Sequence, residues 1–283
     1  MIRNLLADII REPFDLTPVP GGDINEAFLV TSGDQEFFIK YHCGSYASDM
    51  FDKELVGLDL INKAVPGFAP QAHSIINDGD HALLIMEYLK AVHKGSDCGL
   101  DLGQRLAEMH QYESEHYGLE SGNYIGSLTQ KNDYADSISE FMAQSRFQPQ
   151  LQMARDRGYL IKSEIPSLDR MERVLNEIIP EEKPCLVHGD LWGGNYLCVG
   201  NGKAMIIDPA VAYAHRELDI AMSRLFGGFD DKFYNSYNDT YPLAPGWENR
   251  IDLFQLYYLL VHLNLFGTSY KGSVMRILRK YFG

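Results

Sequence analysis

Two polar residues in the stretch 186–197 have the types and the spacing of a catalytic loop. Asp190 follows a His-Gly pair, and Asn195 comes five residues later, after Trp-Gly-Gly. An aspartate in such a loop can orient a hydroxyl and accept its proton, while an asparagine at this spacing can bind Mg²⁺ through its amide oxygen. The stretch therefore predicts Asp190 as the base of a phosphoryl transfer and Asn195 as a metal ligand.

A second acidic residue is needed, because Mg²⁺ on phosphate oxygens prefers anionic oxygen ligands beyond one neutral amide. Asp208 ends an apolar run and precedes Pro209. The segments 196–199 and 203–207 predict a β-hairpin that holds both metal ligands. Either piece alone is more typical of an ordinary turn or strand end, but together they favour a catalytic site.

Lys40 and Glu54 form a second candidate pair. Lys40 lies among bulky apolar residues in the predicted strand 36–41, and Glu54 lies beside the apolar stripe of the predicted helix 48–61. A buried lysine needs a counter-ion, although a solvated position at a strand edge is the ordinary alternative. The pattern predicts that Glu54 fixes the Lys40 ammonium against the α- and β-phosphates of a nucleotide.

The N-terminal part of the chain predicts an antiparallel sheet preceded by an amphipathic helix at 1–12. Alternating apolar residues between Gly-containing turns indicate five strands, at 14–19, 27–31, 36–41, 74–77 and 82–89. The connector 90–99 is polar and contains glycine, which predicts a hinge between domains at 1–89 and 90–283.

Two further nucleotide contacts are predicted in this part. Gly21 and Gly22 let backbone N–H groups approach a phosphate, although the turn lacks a full G-x-G-x-x-G pattern and Asp23 has the wrong charge beside phosphates. Backbone groups of Glu87, Tyr88 and Leu89, just before the connector, could hydrogen-bond an adenine edge, although backbone groups have no residue signature that would show it.

The remainder of the chain is predicted to be mainly helical, apart from the catalytic hairpin. Helical periodicity is present at 101–110, 134–145, 150–157, 168–179, 218–226, 231–238, 251–266 and 270–281. His262 interrupts the apolar face of the long helix 251–266. A histidine on a core helix is more often structural than functional.

Composition limits the function classes. The 283 residues are 45% hydrophobic and 23% charged, which is enough to bury a core. A net charge of −14 without basic runs argues against a general nucleic-acid or anionic-membrane binder. No leader or membrane span is recognised, so the cytoplasm is the expected compartment.

The four cysteines, Cys43, Cys98, Cys185 and Cys198, are scattered without a Cys-x-x-Cys pair. Neither a zinc site nor a disulfide framework is predicted from that spacing.

The segments 186–197, 208–229 and 254–267 together resemble the fructosamine kinase, or ketosamine-3-kinase, family, within the aminoglycoside-phosphotransferase and choline-kinase-like branch. Trp192 directly before the glycines, and YAHRELDIAM after Asp-Pro-Ala, are the most specific features. The resemblance covers nearly the whole chain and is greatest to bacterial members. It implies an α+β, protein-kinase-like fold with a five-stranded N-terminal lobe and a mainly helical C-terminal lobe.

The resemblance implies ATP-dependent phosphorylation of O3 of a ketosamine, leading to deglycation. Asp190 would be the base, Asn195 and Asp208 would hold Mg²⁺, Lys40 with Glu54 would hold the phosphates, and the hinge 87–89 would hold adenine. Trp192 and His262 are predicted substrate contacts, since an indole can stack on a sugar and an imidazole can bond a hydroxyl.

Two departures from the family pattern bear on regulation and substrate. Asp23 stands where many relatives have Cys, so redox control through that position is not expected. Tyr134 and Ile138 stand where Trp is usual after the Asn-x-Ile-Gly stretch 123–126.

Three interpretations remain open from the sequence. The leading one is a ketosamine kinase that acts on small or protein-bound glycated amines. The first alternative is a kinase of another hydroxylated amine, such as an aminoglycoside or choline. The second is a non-catalytic nucleotide-binding protein. Neither the preferred sugar nor the oligomeric state follows from the sequence.

Overall fold

The computed structural model describes residues 1–7, 9–20, 25–93 and 96–283. They form two compact units. The first consists of Met1–Cys98 with Tyr196–Pro209, and the second of Gly99–Asn195 with Ala210–Gly283. The hairpin that follows Asn195 therefore belongs to the first unit, although the boundary predicted from the sequence at 89 places it in the C-terminal domain.

The first unit is built on a five-stranded antiparallel sheet, as predicted. Its strand order is β1-β2-β3-β5-β4. The elements are α1 (Ile2–Ala7), β1 (Asp15–Val19), β2 (Glu26–Ser32), β3 (Gln35–Cys43), α2 (Ala47–Ala64), β4 (Ala72–Asp78) and β5 (His81–Glu87).

Strand alternation in β3 gives the sheet two different faces. Ile39 lies in a buried cluster with Leu6 of α1, Val30 and Leu83. Its neighbour Lys40 points to the opposite face because successive side chains in a strand alternate. Helix α2 packs on β4 and β5, and its Phe51, Leu58 and Ile61 are fully buried. The only apolar-flanked lysine of β3 is thus directed to the side that carries α2.

The predicted hairpin consists of β9 (Tyr196–Val199) and β10 (Lys203–Ile206). Asn201 in the connecting turn has φ 65°, a left-handed conformation that asparagine tolerates better than most residues. The Ile206 N–H donates to Phe68 O at 2.8 Å, which ties the hairpin to the end of α2 and its following turn.

A disulfide joins Cys98 to Cys198, with a Cα–Cα distance of 5.8 Å. The prediction that the cysteines form no disulfide is therefore wrong for this pair. The two residues are 100 positions apart, so their spacing in the sequence does not predict the bond. They meet because β9 returns to the first unit, where the Val92 N–H also donates to Cys198 O at 2.7 Å.

The second unit is mainly helical, as predicted. Its helices are α3 (Ser96–Met109, which starts in the first unit), α4 (Ile138–Glu140), a π-helix at Phe141–Phe147, α5 (Gln148–Asp156), α6 (Leu168–Ile178), α7 (Glu217–Leu225), α8 (Asp231–Thr240), α9 (Ile251–Phe266) and α10 (Lys271–Phe282). Short strand pairs are formed by β6 (Asn123–Ile125) with β7 (Leu128–Gln130), and by β8 (Cys185–Val187) with β11 (Ala212–Ala214).

Helix α9 forms the centre of this unit. Phe254, Leu256, Leu260 and Leu263 have no exposed surface. A helix that is apolar on nearly every side is stable only when other helices surround it, and α9 packs against α5, α7 and α10. None of the described helices is long and apolar enough to cross a membrane.

His215 lies buried between two ion pairs of the second unit. Its Nδ1 accepts from the Glu217 N–H at 3.2 Å, and its ring stacks on Phe254. Burial lowers the pKa of His215 to about 4, because the nearby Arg216 and Arg250 add to the cost of a third positive charge and Glu182 offsets only part of it. The imidazole is therefore neutral in the folded protein at pH 7.

We expect His215 to make the second unit sensitive to acid. In the unfolded chain its pKa is about 6.5, so stability is complete above that pH and falls as the pH decreases toward 4. A tenfold change in proton affinity corresponds to about 1.4 kcal/mol, so the contribution is on the order of 3 kcal/mol. Urea unfolding at several pH values should show this loss in the wild type and a smaller one in His215→Gln. Replacing the exposed His116 by Gln should leave it unchanged.

Candidate active site

The first unit carries a cluster of one lysine and two carboxylates. Lys40 on β3 donates through Nζ to Glu54 Oε1 of α2 at 2.5 Å and to Asp208 Oδ1, just beyond β10. Lys40 is 8% exposed, whereas the Asp208 side chain is 43% exposed. The structure thus brings together three predicted site residues that lie far apart in the sequence.

The two carboxylates keep Lys40 charged. Burial alone lowers the pKa of an ammonium, but the charges of Asp208 and Glu54 outweigh it, so the pKa of Lys40 is raised. A permanent cation at the end of a buried stem is suited to binding phosphate oxygens.

Asp208 has an unusual backbone conformation. Its φ is 57°, in the left-handed region that non-glycine residues seldom adopt. Such a conformation costs free energy and persists only where the surrounding structure imposes it. Pro209 follows directly and fixes the chain beyond it. The carboxylate is therefore presented by a constrained turn rather than by a regular strand end.

The second unit carries the predicted catalytic loop. Strand β8 leads into it, and the Asn195 amide donates through Nδ2 to Asp190 O at 2.9 Å and to Asp190 Oδ2 at 3.2 Å. Both bonds use the nitrogen end of the amide. The oxygen Oδ1, which is the metal-binding atom of asparagine, is left outside these bonds.

Asp219 anchors the start of this loop. Its carboxylate accepts from the backbone N–H groups of His188 at 2.6 Å and Gly189 at 2.9 Å, and from His110 Nε2 at 3.1 Å. His110 Nδ1 in turn lies 2.8 Å from the Tyr237 hydroxyl. Although burial opposes it, hydrogen bonding by His110 and the positive groups nearby lower the pKa of Asp219. The buried carboxylate of Asp219 is thus ionised, and both of its oxygens accept hydrogen bonds.

Sequence reasoning missed Asp219 as a site residue. The available signal was a charged residue on the otherwise apolar helix α7, since Leu218, Ile220, Ala221 and Met222 are all buried. A buried carboxylate must find several donors, and the backbone N–H groups of the buried residues His188 and Gly189 supply two of them.

We expect Asp219→Asn to weaken both fold and turnover. An amide has one acceptor oxygen in place of two, so one loop N–H would face an NH₂ group instead of a carboxylate. Leaving a buried donor unsatisfied costs about 1–3 kcal/mol, measurable by urea unfolding. The kcat should fall even at temperatures where the variant is fully folded. The matched control is Asp231→Asn at the exposed start of α8, which should change neither quantity.

A buried network of side-chain amides lies behind the loop in the same unit. Asn123 donates to Val211 O at 2.8 Å, and Gln130 donates to Ala210 O at 3.1 Å. Gln130 also accepts from the Tyr257 hydroxyl at 2.5 Å. Because the Ala210 N–H donates to His188 O at 2.9 Å, the network fixes the backbone at 210–211, which lies against the predicted catalytic loop.

Arg146 completes this network from the π-helix. It is buried, donates to Asn132 Oδ1 at 2.8 Å and packs over the rings of Phe141 and Tyr257. Asn132 in turn donates to Asn123 Oδ1 at 3.0 Å. The Asn-x-Ile-Gly stretch singled out in the sequence therefore has a structural role that the sequence did not disclose.

Trp192 and His262 both lie in the second unit. The Trp192 ring is folded over Gly194, where any Cβ would collide with it, and remains 42% exposed. His262 is half-buried, and its Nδ1 lies 2.8 Å from Tyr258 O. Their predicted contacts with substrate stay predictions.

The predicted adenine and phosphate contacts stay predictions as well. Gly21 and Gly22 lie outside the described residues, as does Asp23. Strand β5 ends at Glu87, whose N–H donates to Gln71 O at 2.8 Å. Tyr88 and Leu89 continue beyond the strand in a half-buried position.

Comparison with known proteins decides the family. The model of the fructosamine kinase family matches residues 3–283. The chain belongs to the fructosamine kinase family. It is thus a kinase that transfers a phosphoryl group to a hydroxyl.

Two relatives illustrate the range of this family. An Enterococcus faecium protein named "Probable ketoamine kinase" is 35% identical, with 99% of each chain covered. The Arabidopsis thaliana chloroplastic protein-ribulosamine 3-kinase is also 35% identical, over 93% of this chain and 81% of the relative.

Solved structures confirm the protein-kinase-like fold. A Haemophilus somnus protein described as a "Putative fructosamine-3-kinase" superposes with a TM-score of 0.86 at 28% identity, over 100% of this chain and 97% of the other. An aminoglycoside phosphotransferase in complex with AMP-PNP and hygromycin B gives 0.62 at 14% identity, over 100% and 99% of the chains. The second similarity concerns the fold alone.

The fold implies ATP and, typically, a divalent cation, and each of the two compact units offers an oxygen donor of the kind that Mg²⁺ binds. Asn195 keeps its amide oxygen outside the bonds to Asp190, and Asp208 has an exposed carboxylate. No group of three or more His, Cys, Asp or Glu side chains that could hold a metal occurs in the described part of the chain.

Proposed function

We propose that this kinase uses ATP and Mg²⁺ to phosphorylate O3 of ketosamines, the adducts of reducing sugars with amines. The observation that carries the proposal is the Asp190–Asn195 loop, anchored on the buried Asp219, in a chain that belongs to the fructosamine kinase family. The names of the Enterococcus and Arabidopsis relatives support ketosamines as the acceptor class.

Each predicted residue has a definite task in this reaction. Lys40, held by Glu54, contacts the α- and β-phosphates, and the segment 87–89 with Gly21 and Gly22 binds the rest of the nucleotide. Asn195 Oδ1 and Asp208 hold the Mg²⁺ ion, which neutralises charge on the phosphate oxygens when bound. Asp190 orients the acceptor hydroxyl and takes its proton as the phosphoryl group is transferred. Trp192 and His262 contact the acceptor.

The proposed product explains how a kinase restores an amine. In a ketosamine the nitrogen is on C1 and the carbonyl is C2, so enolisation toward C1 places a double bond beside C3. A phosphate on O3 is then an allylic leaving group. The nitrogen lone pair assists the departure of inorganic phosphate, and water hydrolyses the resulting unsaturated imine to the free amine and a 3-deoxyosone. Deglycation then requires no second active site.

The test is a panel of acceptors with Mg²⁺-ATP. Fructosyl-, ribulosyl- and erythrulosyl-lysine are compared with choline and kanamycin, and ADP formation is measured. We expect turnover with ketosamines and not with the other two amines. Efficient phosphorylation of kanamycin or choline, with none of a ketosamine, would contradict the proposal.

The time course tests the position of transfer. ADP should form first, followed by slower release of phosphate and lysine at a rate that does not depend on enzyme concentration. A phosphorylated ketosamine that is stable for days at neutral pH would rule out O3. Because ATP is the phosphoryl donor, we place this activity in the cytoplasm; both free and protein-bound glycated amines are candidate acceptors.

A further inference from the structure

An aromatic cluster lies beside the catalytic loop within the second unit. Phe226, Phe266 and Tyr270 surround the His262 ring at centroid distances of 4.7, 5.3 and 5.2 Å. We call these four residues the aromatic cluster. Phe226 is 45% and Phe266 is 55% exposed, in contrast to Tyr257 and Tyr258 of α9, which are buried. The cluster therefore presents apolar ring surface outward instead of filling the core.

The cluster is continuous with the loop that carries Asp190. Phe226 is followed by Gly227 and Gly228, and this glycine pair packs against Gly193. A Cβ on Gly193 would lie 2.9 Å from Gly227 O and 3.1 Å from Gly228 Cα. The close approach of two glycine backbones fixes Phe226 next to the loop that follows the proposed base, within one compact unit.

His262 and Tyr270 are the polar members of the cluster, and the protonation of the His262 ring follows from its one hydrogen bond. Its Nδ1 lies 2.8 Å from the Tyr258 carbonyl oxygen, which can only accept, so Nδ1 carries the proton. In the neutral ring, Nε2 is then an acceptor. Burial lowers the pKa of His262, which keeps the ring neutral at pH 7. The cluster thus combines the acceptor nitrogen of His262 and the Tyr270 hydroxyl with apolar ring surface on several sides.

This combination matches one part of a ketosamine. Its sugar side is rich in hydroxyls, whereas its amine side has an N–H donor attached to carbon. An N–H, protonated or not, can donate to a neutral imidazole, and a protonated amine is also attracted to aromatic faces. Alkyl carbons beside the nitrogen gain free energy by covering exposed rings.

We propose that the aromatic cluster is the subsite for the amine side of the substrate. His262 Nε2 accepts the amine N–H, and Phe226, Phe266 and Tyr270 contact the first carbons of the amine substituent. The inference rests on the proposed ketosamine activity and adds to it the group that selects among amines. The sugar hydroxyls of the substrate then lie near Asp190 and Trp192.

The first test varies only the amine substituent. Methyl, butyl and hexyl amines are converted to their 1-amino-1-deoxyfructose derivatives, and kcat/KM is measured for each. A buried CH₂ group contributes up to about fourfold, so the wild type should favour butyl over methyl by about tenfold. Phe226→Ala with Phe266→Ala should abolish most of this preference, measured as the ratio of kcat/KM for the butyl compound to kcat/KM for the methyl compound. Ile161→Ala, which removes another exposed apolar side chain of the same unit, should retain the preference.

The second test removes the N–H. The hexyl ether of fructose, which has oxygen in place of the amine nitrogen, should be a substrate about tenfold poorer than the hexyl amine for the wild type. His262→Leu should use the two equally. Both compounds carry the same sugar and chain, so a general loss of stability would lower their kcat/KM together and leave the ratio unchanged.

The outcomes separate the two proposals. If the wild type phosphorylates the methyl compound but shows no dependence on substituent, or if the double variant keeps the dependence, the subsite is wrong and the proposed function stands. Equal amine-to-ether ratios in wild type and His262→Leu would overturn the role of Nε2. If no fructosamine is phosphorylated at all, the proposed function and the subsite fail together.

Discussion

Replacing Asp190 by Asn is expected to lower kcat by about two orders of magnitude or more. The variant loses the atom that takes the proton of the acceptor hydroxyl. It keeps the loop, because an amide oxygen at position 190 can still accept from Asn195 Nδ2, as the carboxylate does at 3.2 Å. The backbone bond from Asn195 to Asp190 O is unaffected. The loss should therefore be confined to the chemical step.

Three measurements on Asp190→Asn establish this. Urea unfolding and ATP affinity should match the wild type, while kcat for a ketosamine falls. Asp156→Asn, which alters an exposed carboxylate of the same unit, should leave kcat unchanged. Turnover near the wild-type rate in a folded Asp190→Asn protein would remove the residue from the role of base.

Replacing Lys40 by Met is expected to nearly abolish activity and also to destabilise the first unit. Lys40 is the cation between two carboxylates. Without it, Glu54 is left buried and uncompensated, and breaking a buried pair in this way costs about 3–5 kcal/mol. A loss of activity in Lys40→Met could therefore come from the missing phosphate contact or from the destabilised first unit, and this variant by itself does not distinguish the two.

The double variant Lys40→Met with Glu54→Gln separates these effects. It removes both buried charges, so we expect it to regain most of the unfolding free energy but none of the activity. Added Mg²⁺ should restore neither variant, because neither lacks a metal ligand. Asp208→Ala should instead be improved in part by raised Mg²⁺. Equal rescue of Lys40→Met and Asp208→Ala by the metal would contradict the distinction between phosphate contact and metal ligand.

The sheet and the helical second unit could be predicted because their signals are local. Apolar and polar residues alternate around Ile39 and Lys40, which indicates a strand. The apolar stripe of Phe51, Leu58 and Ile61 indicates a helix, and each pattern lies within one element. The Lys40–Glu54 pair was also predictable, since a buried lysine needs a counter-ion and the adjacent helix offers one.

The features that escaped prediction depend on residues remote in sequence. Asp219 accepts hydrogen bonds from the backbone N–H groups of residues 188 and 189. Every residue except proline has such a group, so the sequence does not show which ones will bind a carboxylate. Arg146 and Tyr257 look like ordinary helix residues until the Asn123 network is seen. The left-handed conformation of Asp208 could not be predicted, because most aspartates adopt other conformations and the residue type alone does not indicate this one.

The Cys98–Cys198 bond also changes the topology of the chain. Cys98 directly precedes the point where the chain enters the second unit, and Cys198 lies just after the point where it first leaves. Residues 98–198 thereby form a covalently closed ring, and residues 210–283 of the second unit lie outside it. A protease that cuts once inside the ring releases no fragment until a reductant opens the bond. A single cut in the connection between Cys198 and Ala210 would instead free residues 210–283 from the rest of the chain. The two parts of the second unit, 99–195 and 210–283, therefore respond differently to one cut.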